Sequence, residues 1–200
     1  METNSEKLVG LKNELRKEFS QRRSSISKVD REIRSNRMTM HLLNLNEVID
    51  ATNILVYWSF GSEAPTRTLI NELSLRNKQI LLPYLESNKM HATKFNSIEA
   101  LASTTYGPLE PNEKAPADPS TVEVVVVPGL AFDRNGFRLG YGRGFYDNYL
   151  SHLSGSATTI GFCFATQVAE EVPTEPHDVA LDILVTDQEV IRISSRSDQG

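Results

Sequence analysis

The 200 residues suit a single domain with room for a sizeable core, and a composition of 39% apolar and 24% charged residues is that of a soluble globular chain. No apolar run is long enough to span a bilayer, and the one cysteine, Cys163, lies in the run IGFCF as a buried thiol without an intramolecular partner. The net charge of -5 divides unevenly, +4 over residues 1–40 and -9 over the rest, which excludes a broad nucleic-acid footprint but allows a local anion site fed by the N-terminal arm.

The opening METNSEKLVG has neither the apolar core of a secretory signal nor the composition of a transit peptide, so a cytoplasmic protein is expected. Glu6 to Arg23 predicts an amphipathic helix whose apolar stripe is Leu8, Leu11, Leu15 and Phe19. Lys12, Arg16 and Arg23 fall within about 40° of one another along one border of that stripe. Two readings stay open for them: a solvated edge whose stems cover the apolar face, or a cationic rail that meets an anion once the helix docks. Ser27-Lys28-Val29-Asp30 resembles a capping box and restarts a helix to Leu43, with Val29, Ile33 and Met40 inward. His41, near its end, is read as structural.

Asn53 to Phe60, NILVYWSF, has the composition of a strand, and the turn Gly61–Thr66 leads into a helix to Leu75 with Leu69, Ile70 and Leu73 inward. Strands at Gln79–Pro83 and Met90–Phe95 follow, then one or two helical turns over Ser97–Ala102. Tyr106 to Ser120 holds four of the nine prolines and reads as a long surface loop. Glu123–Val127, Thr159–Phe164 and Ala180–Thr186 have the near-continuous apolar character of strands covered on both faces, and Glu189–Ile193 pairs beside the last as a hairpin arm. The tail SSRSDQG reads as frayed. This alternation predicts an α/β fold of three layers, a mainly parallel sheet flanked by helices, with the N-terminal helices (about 6–43) packed on one side of a core (about 53–193). Ligands of such sheets gather at the carboxyl ends of the strands, where Trp58 and Glu63 fall.

Running from the fourth of these core strands toward the fifth, VVVVPGLAFDRNGFRLGYGRGFYDNYL (124–150) carries the strongest chemical signal. It matches neither a P-loop nor a dinucleotide fingerprint, because Gly140, Gly142 and Gly144 alternate. Alternating glycines leave backbone N–H groups open to phosphate oxygens, and Arg138 and Arg143 add charge. Asp147, in the first turn of the next helix, reads either as a dipole-stabilised carboxylate or as a Mg²⁺ ligand beside phosphates. Phe145, Tyr146 and Tyr149 offer helix packing or a wall for an aromatic ring system. Glu175-Pro176-His177-Asp178 is a turn offering a second carboxylate. No nucleophilic triad and no histidine ligand spacing are present, which leaves chemistry by positioning, magnesium and positive charge, as in phosphoryl transfer.

The stretch PGLAFDRNGFRLGYGRGFYDNYL (128–150) resembles the PG-hydrophobe-x-FD-x-x-G-x-RLG-x-G-x-GYYD pattern of the 5-formyltetrahydrofolate cyclo-ligase family. Lys12-x-x-Leu15-Arg16, Glu63 with Thr66, and Pro173 to Asp178 are similar to its further elements, in the same order. The resemblance, over about 8–187, implies ATP-dependent closure of 5-formyltetrahydrofolate to 5,10-methenyltetrahydrofolate, with release of ADP and phosphate. It implies ATP binding by Lys12, Arg16, Arg138, Gly140, Tyr141, Gly142, Arg143 and Gly144, and catalytic roles for Arg143 and Tyr146. Trp58, Glu63, Phe145 and Tyr146 would line the folate site, and Asp147 and Asp178 would hold Mg²⁺. A monomer acting on ATP and 5-formyltetrahydrofolate, without nucleic acid or membrane, is expected. Phe145 stands at the first place of the family's tyrosine pair, and Tyr141 where some members carry arginine. The alternatives are a non-catalytic folate- or nucleotide-binding relative, and a sugar-phosphate isomerase or CoA transferase on a related scaffold.

Overall fold

A computed structural model describes residues 4–104, 107–153 and 155–193. Tyr106, where the predicted loop begins, and the 194–200 tail lie outside the described residues. In chain order the elements are α1 (Asn4–Ser24), α2 (Lys28–Leu43), α3 (Asn46–Asp50), β1 (Asn53–Leu55), α4 (Arg67–Leu75), β2 (Gln79–Glu86) and β3 (Lys89–Lys94). There follow β4 (Leu101–Ala102), β5 (Glu110–Pro111), β6 (Val124–Val127), β7 (Ala131–Phe132), β8 (Arg138–Leu139), α5 (Phe145–Leu150), β9 (Thr158–Phe162), β10 (Ile183–Val185) and β11 (Val190–Arg192).

The main sheet has the order β11-β10-β9-β6-β1-β2-β3. Its five inner strands run parallel, and an antiparallel strand closes each edge. Successive residues of a strand face opposite sides, so the valine run of β6 feeds two cores. Val124 and Val126 join Ile54, Ile80, Ile160 and Ile183 under α2 and α4. Val125 and Val127 join Leu55, Leu81 and Leu184 against Tyr149 and Leu150 of α5. This is the three-layer α/β fold that the alternation predicts.

The two long helices differ from their expected orientation. On α2 the predicted inward residues Val29, Ile33 and Met40 are exposed, and Ser35, Met38, Thr39, Leu42 and Leu43 are buried. The small hydroxyl residues Ser35 and Thr39 let this face approach the sheet, which a search for apolar stripes passes over. Ser27 does cap α2, its Oγ accepting from Asp30 N at 3.1 Å, and the His41 ring meets the Thr186 carbonyl. On α1, Leu11 is 48% exposed, while Lys12, Phe19 and Arg23 are buried. Of these two helices, α2 is the one that covers a face of the sheet. α1 lies over a third cluster, in which Phe19 meets Leu130, Ala131, Leu139 and Val172.

That cluster belongs to the β7–β8 hairpin, which begins just beyond β6. Its turn is held by Asp133, whose Oδ1 accepts from Asn135 N (2.9 Å) and Phe137 N (3.0 Å) and whose Oδ2 accepts from Val172 N (2.9 Å). Gly136, at φ +87°, lies so close to Leu181 that a Cβ would come 2.5 Å from its carbonyl oxygen. The FD-x-x-G part of the pattern is therefore architecture. Smaller corrections concern element ends. β1 pairs only over Asn53–Leu55, the 97–102 segment is a single 3-10 turn (Ile98–Ala100) followed by β4, and β5, inside the expected long loop, pairs with β4.

Candidate active site

The carboxyl ends of β1 and β6 open on one region, which the 140–144 loop and α1 close from above. Beyond β1 the chain turns tightly. Thr66 Oγ1 donates to the Tyr57 carbonyl (2.8 Å), Ser59 N donates to Thr66 Oγ1 (3.1 Å), and Tyr57 Oη donates to the Ala64 carbonyl (3.1 Å). These bonds hold Glu63 pointing back into the protein, where its Oε2 accepts from Phe60 N at 3.1 Å. Glu63 is 6% exposed. Burial pushes its carboxyl up to about 7, against the lowering pull of Phe60 N–H, Arg23 and Tyr141. A buried carboxylate raised toward neutrality beside a cation is a candidate functional position.

Lys12, Arg16 and Arg23 form the cationic rail, and each meets a different part of the site. Lys12 Nζ donates to Glu175 Oε2 (2.7 Å) and Asp178 Oδ2 (3.0 Å). Burial works against its charge, but the two carboxylates outweigh it and hold the ammonium above its ordinary pKa. Arg16 Nε donates to the Gly140 carbonyl (3.0 Å), and its guanidinium lies beneath Gly142, 3.2–3.3 Å from where a Cβ would stand. Gly142, at φ +90°, tolerates both the backbone conformation and the approach. Arg23, 4% exposed, reaches Ser62 Oγ (3.0 Å), the Gly129 carbonyl (3.2 Å) and Tyr141 Oη (2.6 Å).

At the other end of the loop Arg138 is buried, and its Nη2 lies 3.0 Å from Asp147 Oδ1. Burial lowers the pKa of this guanidinium, and Asp147 opposes the shift. Asp147 Oδ1 also accepts from Val179 N at 3.2 Å, tying the start of α5 to the segment that holds Asp178. Gly140 and Gly144 have open space where a side chain would stand, and Arg143 is exposed with no protein partner among the described residues. Tyr146 Oη is buried without a hydrogen-bond partner among the described residues, and burial beside the Glu63 charge raises its pKa. Phe145 is half-buried against the α5 side of the sheet. Trp58 is buried, tilted against Phe95 at 6.0 Å between centroids, with Arg67 Cζ 5.8 Å above its ring.

The structure thus gathers Lys12, Arg16, Arg138, Gly140, Gly142 and Asp178 around one loop, with Arg143 at its rim. The Tyr141 side chain lies on the opposite side, against Glu63 (Oη to Oε1, 3.4 Å) and Phe60. Sequence reasoning placed Arg23 on the rail but not in the site, and it passed over Glu175. The signal for Arg23 was its spacing from Lys12 and Arg16; Glu175 had none beyond its turn.

The model of the 5-formyltetrahydrofolate cyclo-ligase family matches residues 9–187. The chain is 33% identical over 181 residues to the 5-formyltetrahydrofolate cyclo-ligase of Haemophilus influenzae, covering 87% of this chain and 97% of that one. With the enzyme of the same name from Mycolicibacterium smegmatis it shares 31% over 183 residues, 88% of this chain and 93% of the relative. The solved 5,10-methenyltetrahydrofolate synthetase of Aquifex aeolicus superposes with a TM-score of 0.83 at 31% identity, over 95% of this chain and 97% of that chain. A glycine loop braced by Arg16 and Arg23 of the first helix is thus embedded in a fold and a sequence shared almost end to end, and the chain belongs to the 5-formyltetrahydrofolate cyclo-ligase family.

Proposed function

We propose that this chain, as one domain, converts 5-formyltetrahydrofolate to 5,10-methenyltetrahydrofolate using ATP, and releases ADP and phosphate. The observation that carries the reading is the division of the site by the 140–144 loop. Cations and open glycines lie on one side, and a buried carboxylate near neutral pKa lies on the other. In this reaction the formyl oxygen attacks the γ-phosphorus and the bond to ADP breaks. N10 then attacks the formyl carbon, its proton is lost, and the carbon–oxygen bond to phosphate breaks.

The residues divide accordingly. Lys12, Arg16 and Arg138 with the backbone of Gly140, Tyr141, Gly142 and Gly144 hold the phosphates, and the unpaired Arg143 at the rim meets the charge that develops during transfer. Glu63 accepts N–H bonds from the folate ring, beside Trp58 and Phe145. The unpartnered Tyr146 hydroxyl donates to the formyl group or the phosphate built on it.

The carboxylates fit a magnesium ion held jointly by protein and phosphate. Asp147 and Asp178 each commit one oxygen to a cation, while Asp147 Oδ2 and Asp178 Oδ1 make no hydrogen bond among the described residues. No group of three or more His, Cys, Asp or Glu among the described residues could hold a metal ion. One or two carboxylates completed by phosphates and water is the usual magnesium arrangement. When bound, the ion would offset charge on the transferred phosphoryl group.

No helix among the described residues is long and apolar enough to cross a membrane. The test is the purified protein with Mg-ATP and 5-formyltetrahydrofolate. Growth of the near-ultraviolet absorbance of the methenyl product, matched by ADP, is expected. Folate binding without product would make the chain a binding relative.

A further inference from the structure

Arg23 is a buried cation in a region where the proposed chemistry has no use for it. The phosphate side of the loop is served by Lys12 and Arg16, about two to three turns earlier on α1, and Arg23 points to the other side. Its guanidinium spends its donors on three separate pieces of chain: Ser62 Oγ in the turn beside Glu63, the Gly129 carbonyl just past β6, and Tyr141 Oη in the glycine loop. Tyr141 Oη in turn lies 3.4 Å from Glu63 Oε1. A planar fork with several donors in fixed directions suits this task, and a lysine would not reproduce it.

We infer that Arg23 is a positioning residue for the folate half of the site, fixing the Tyr141 side chain and, through it and Ser62, the orientation of the Glu63 carboxylate. This inference rests on the assignment of Glu63 to the folate ring. Tyr141 therefore contributes its backbone to the phosphate loop and its side chain to the folate side. The same geometry accounts for an exposed tyrosine, 52% accessible, whose hydroxyl end is nevertheless tied down.

The groups facing Glu63 are Phe60 N–H in its own turn, Arg23 from α1 and Tyr141 from the loop. Tyr57 beyond β1 and Tyr146 of α5 couple to its charge. Arg23 and Tyr141 both favour the ionised carboxylate, while burial opposes it. Loss of either moves the ionisation of Glu63 to higher pH.

The test is steady-state turnover with each substrate varied, as a function of pH, for wild type, Arg23→Met, Arg23→Lys and Tyr141→Phe. Arg23→Met should raise KM for 5-formyltetrahydrofolate at least tenfold, leave KM for ATP within twofold, and shift the acid limb of the folate kcat/KM profile upward. Arg23→Lys should keep the acid limb in place while still raising the folate KM. Tyr141→Phe removes one hydroxyl from an accessible ring and so leaves folding intact. It should raise the folate KM threefold or more with the same upward shift, which keeps the inference testable if Arg23→Met does not fold. Equal rises in both KM values, or a Tyr141→Phe variant with wild-type folate KM and acid limb, would overturn it. A wild-type protein that does not turn over would instead sink the functional reading beneath it.

Discussion

Asp147→Asn separates the structural duty of the loop carboxylate from its proposed metal duty. The Arg138 side chain is 3% exposed and that of Asp147 20%, with 3.0 Å between charged atoms. Removing one partner of a buried pair leaves an uncompensated charge, at a cost of about 3–5 kcal/mol. Asp147 is partly open to water, and asparagine retains a carbonyl oxygen for Val179 N. The loss should therefore sit near the lower end, about 3 kcal/mol. For a chain of this size that is a fall of about 6–12 °C in Tm. Thermal unfolding followed by circular dichroism without nucleotide reads it directly. The double variant Arg138→Met/Asp147→Leu, which removes both charges, should recover most of the loss. A Tm within about 2 °C of wild type for Asp147→Asn, or a double variant less stable than the single, would refute this account of the pair. Under turnover, Asp147→Asn should also raise the magnesium concentration needed for half-maximal rate; an unchanged requirement would remove Asp147 from the metal site.

Gly142→Ala places a side chain where φ is +90° and Arg16 Nη2 stands 3.2 Å away. Backbone strain of about 1–2 kcal/mol together with displacement of Arg16 should raise KM for ATP roughly tenfold, and an unchanged KM would show that the loop does not need Arg16 beneath it. Lys12→Met leaves Glu175 and Asp178 without their cation. It should raise KM for ATP by tenfold or more, since charged hydrogen bonds contribute about 1.5–3 kcal/mol, and an ATP KM equal to that of wild type would take Lys12 out of the phosphate site. Glu63 titrates at about 7 in the folded chain against 4.5 for the free group. Its neutral form therefore favours folding below pH 4.5, and that contribution is lost as pH rises through 7. Glu63→Gln, which stays neutral, should gain about 3 kcal/mol in stability relative to wild type over that interval while the folate KM rises. Parallel stability curves for the two proteins would contradict the assigned ionisation.

The layers of the fold were legible because buried parallel strands announce themselves in runs such as Val124–Val127, which need apolar residues on both faces. The glycine loop was legible for the opposite reason: few structural needs explain three alternating glycines with two arginines. The face of α1 was not. Lys12, Phe19 and Arg23 are the buried residues among its described side chains, and two of them are cations whose partners lie 39 to 166 residues away in sequence. Apolar periodicity cannot anticipate a buried charge, because the compensation is tertiary. α2 failed in another way: Val29 and Ile33 mark a stripe as plausible as the true one, and only the small side chains of Ser35 and Thr39 decide which face fits. Glu63 showed its position in the sequence but not its poise near neutrality, which arises from burial under Arg23 and Tyr141.

The central claim is that the formyl oxygen itself takes the phosphoryl group. Turnover of 5-formyltetrahydrofolate carrying a heavy oxygen isotope in the formyl group, with mass analysis of the released phosphate, tests it most directly. One labelled oxygen in each phosphate, equal in amount to methenyl product, is the predicted result. Label released to water, with unlabelled phosphate, would contradict the account.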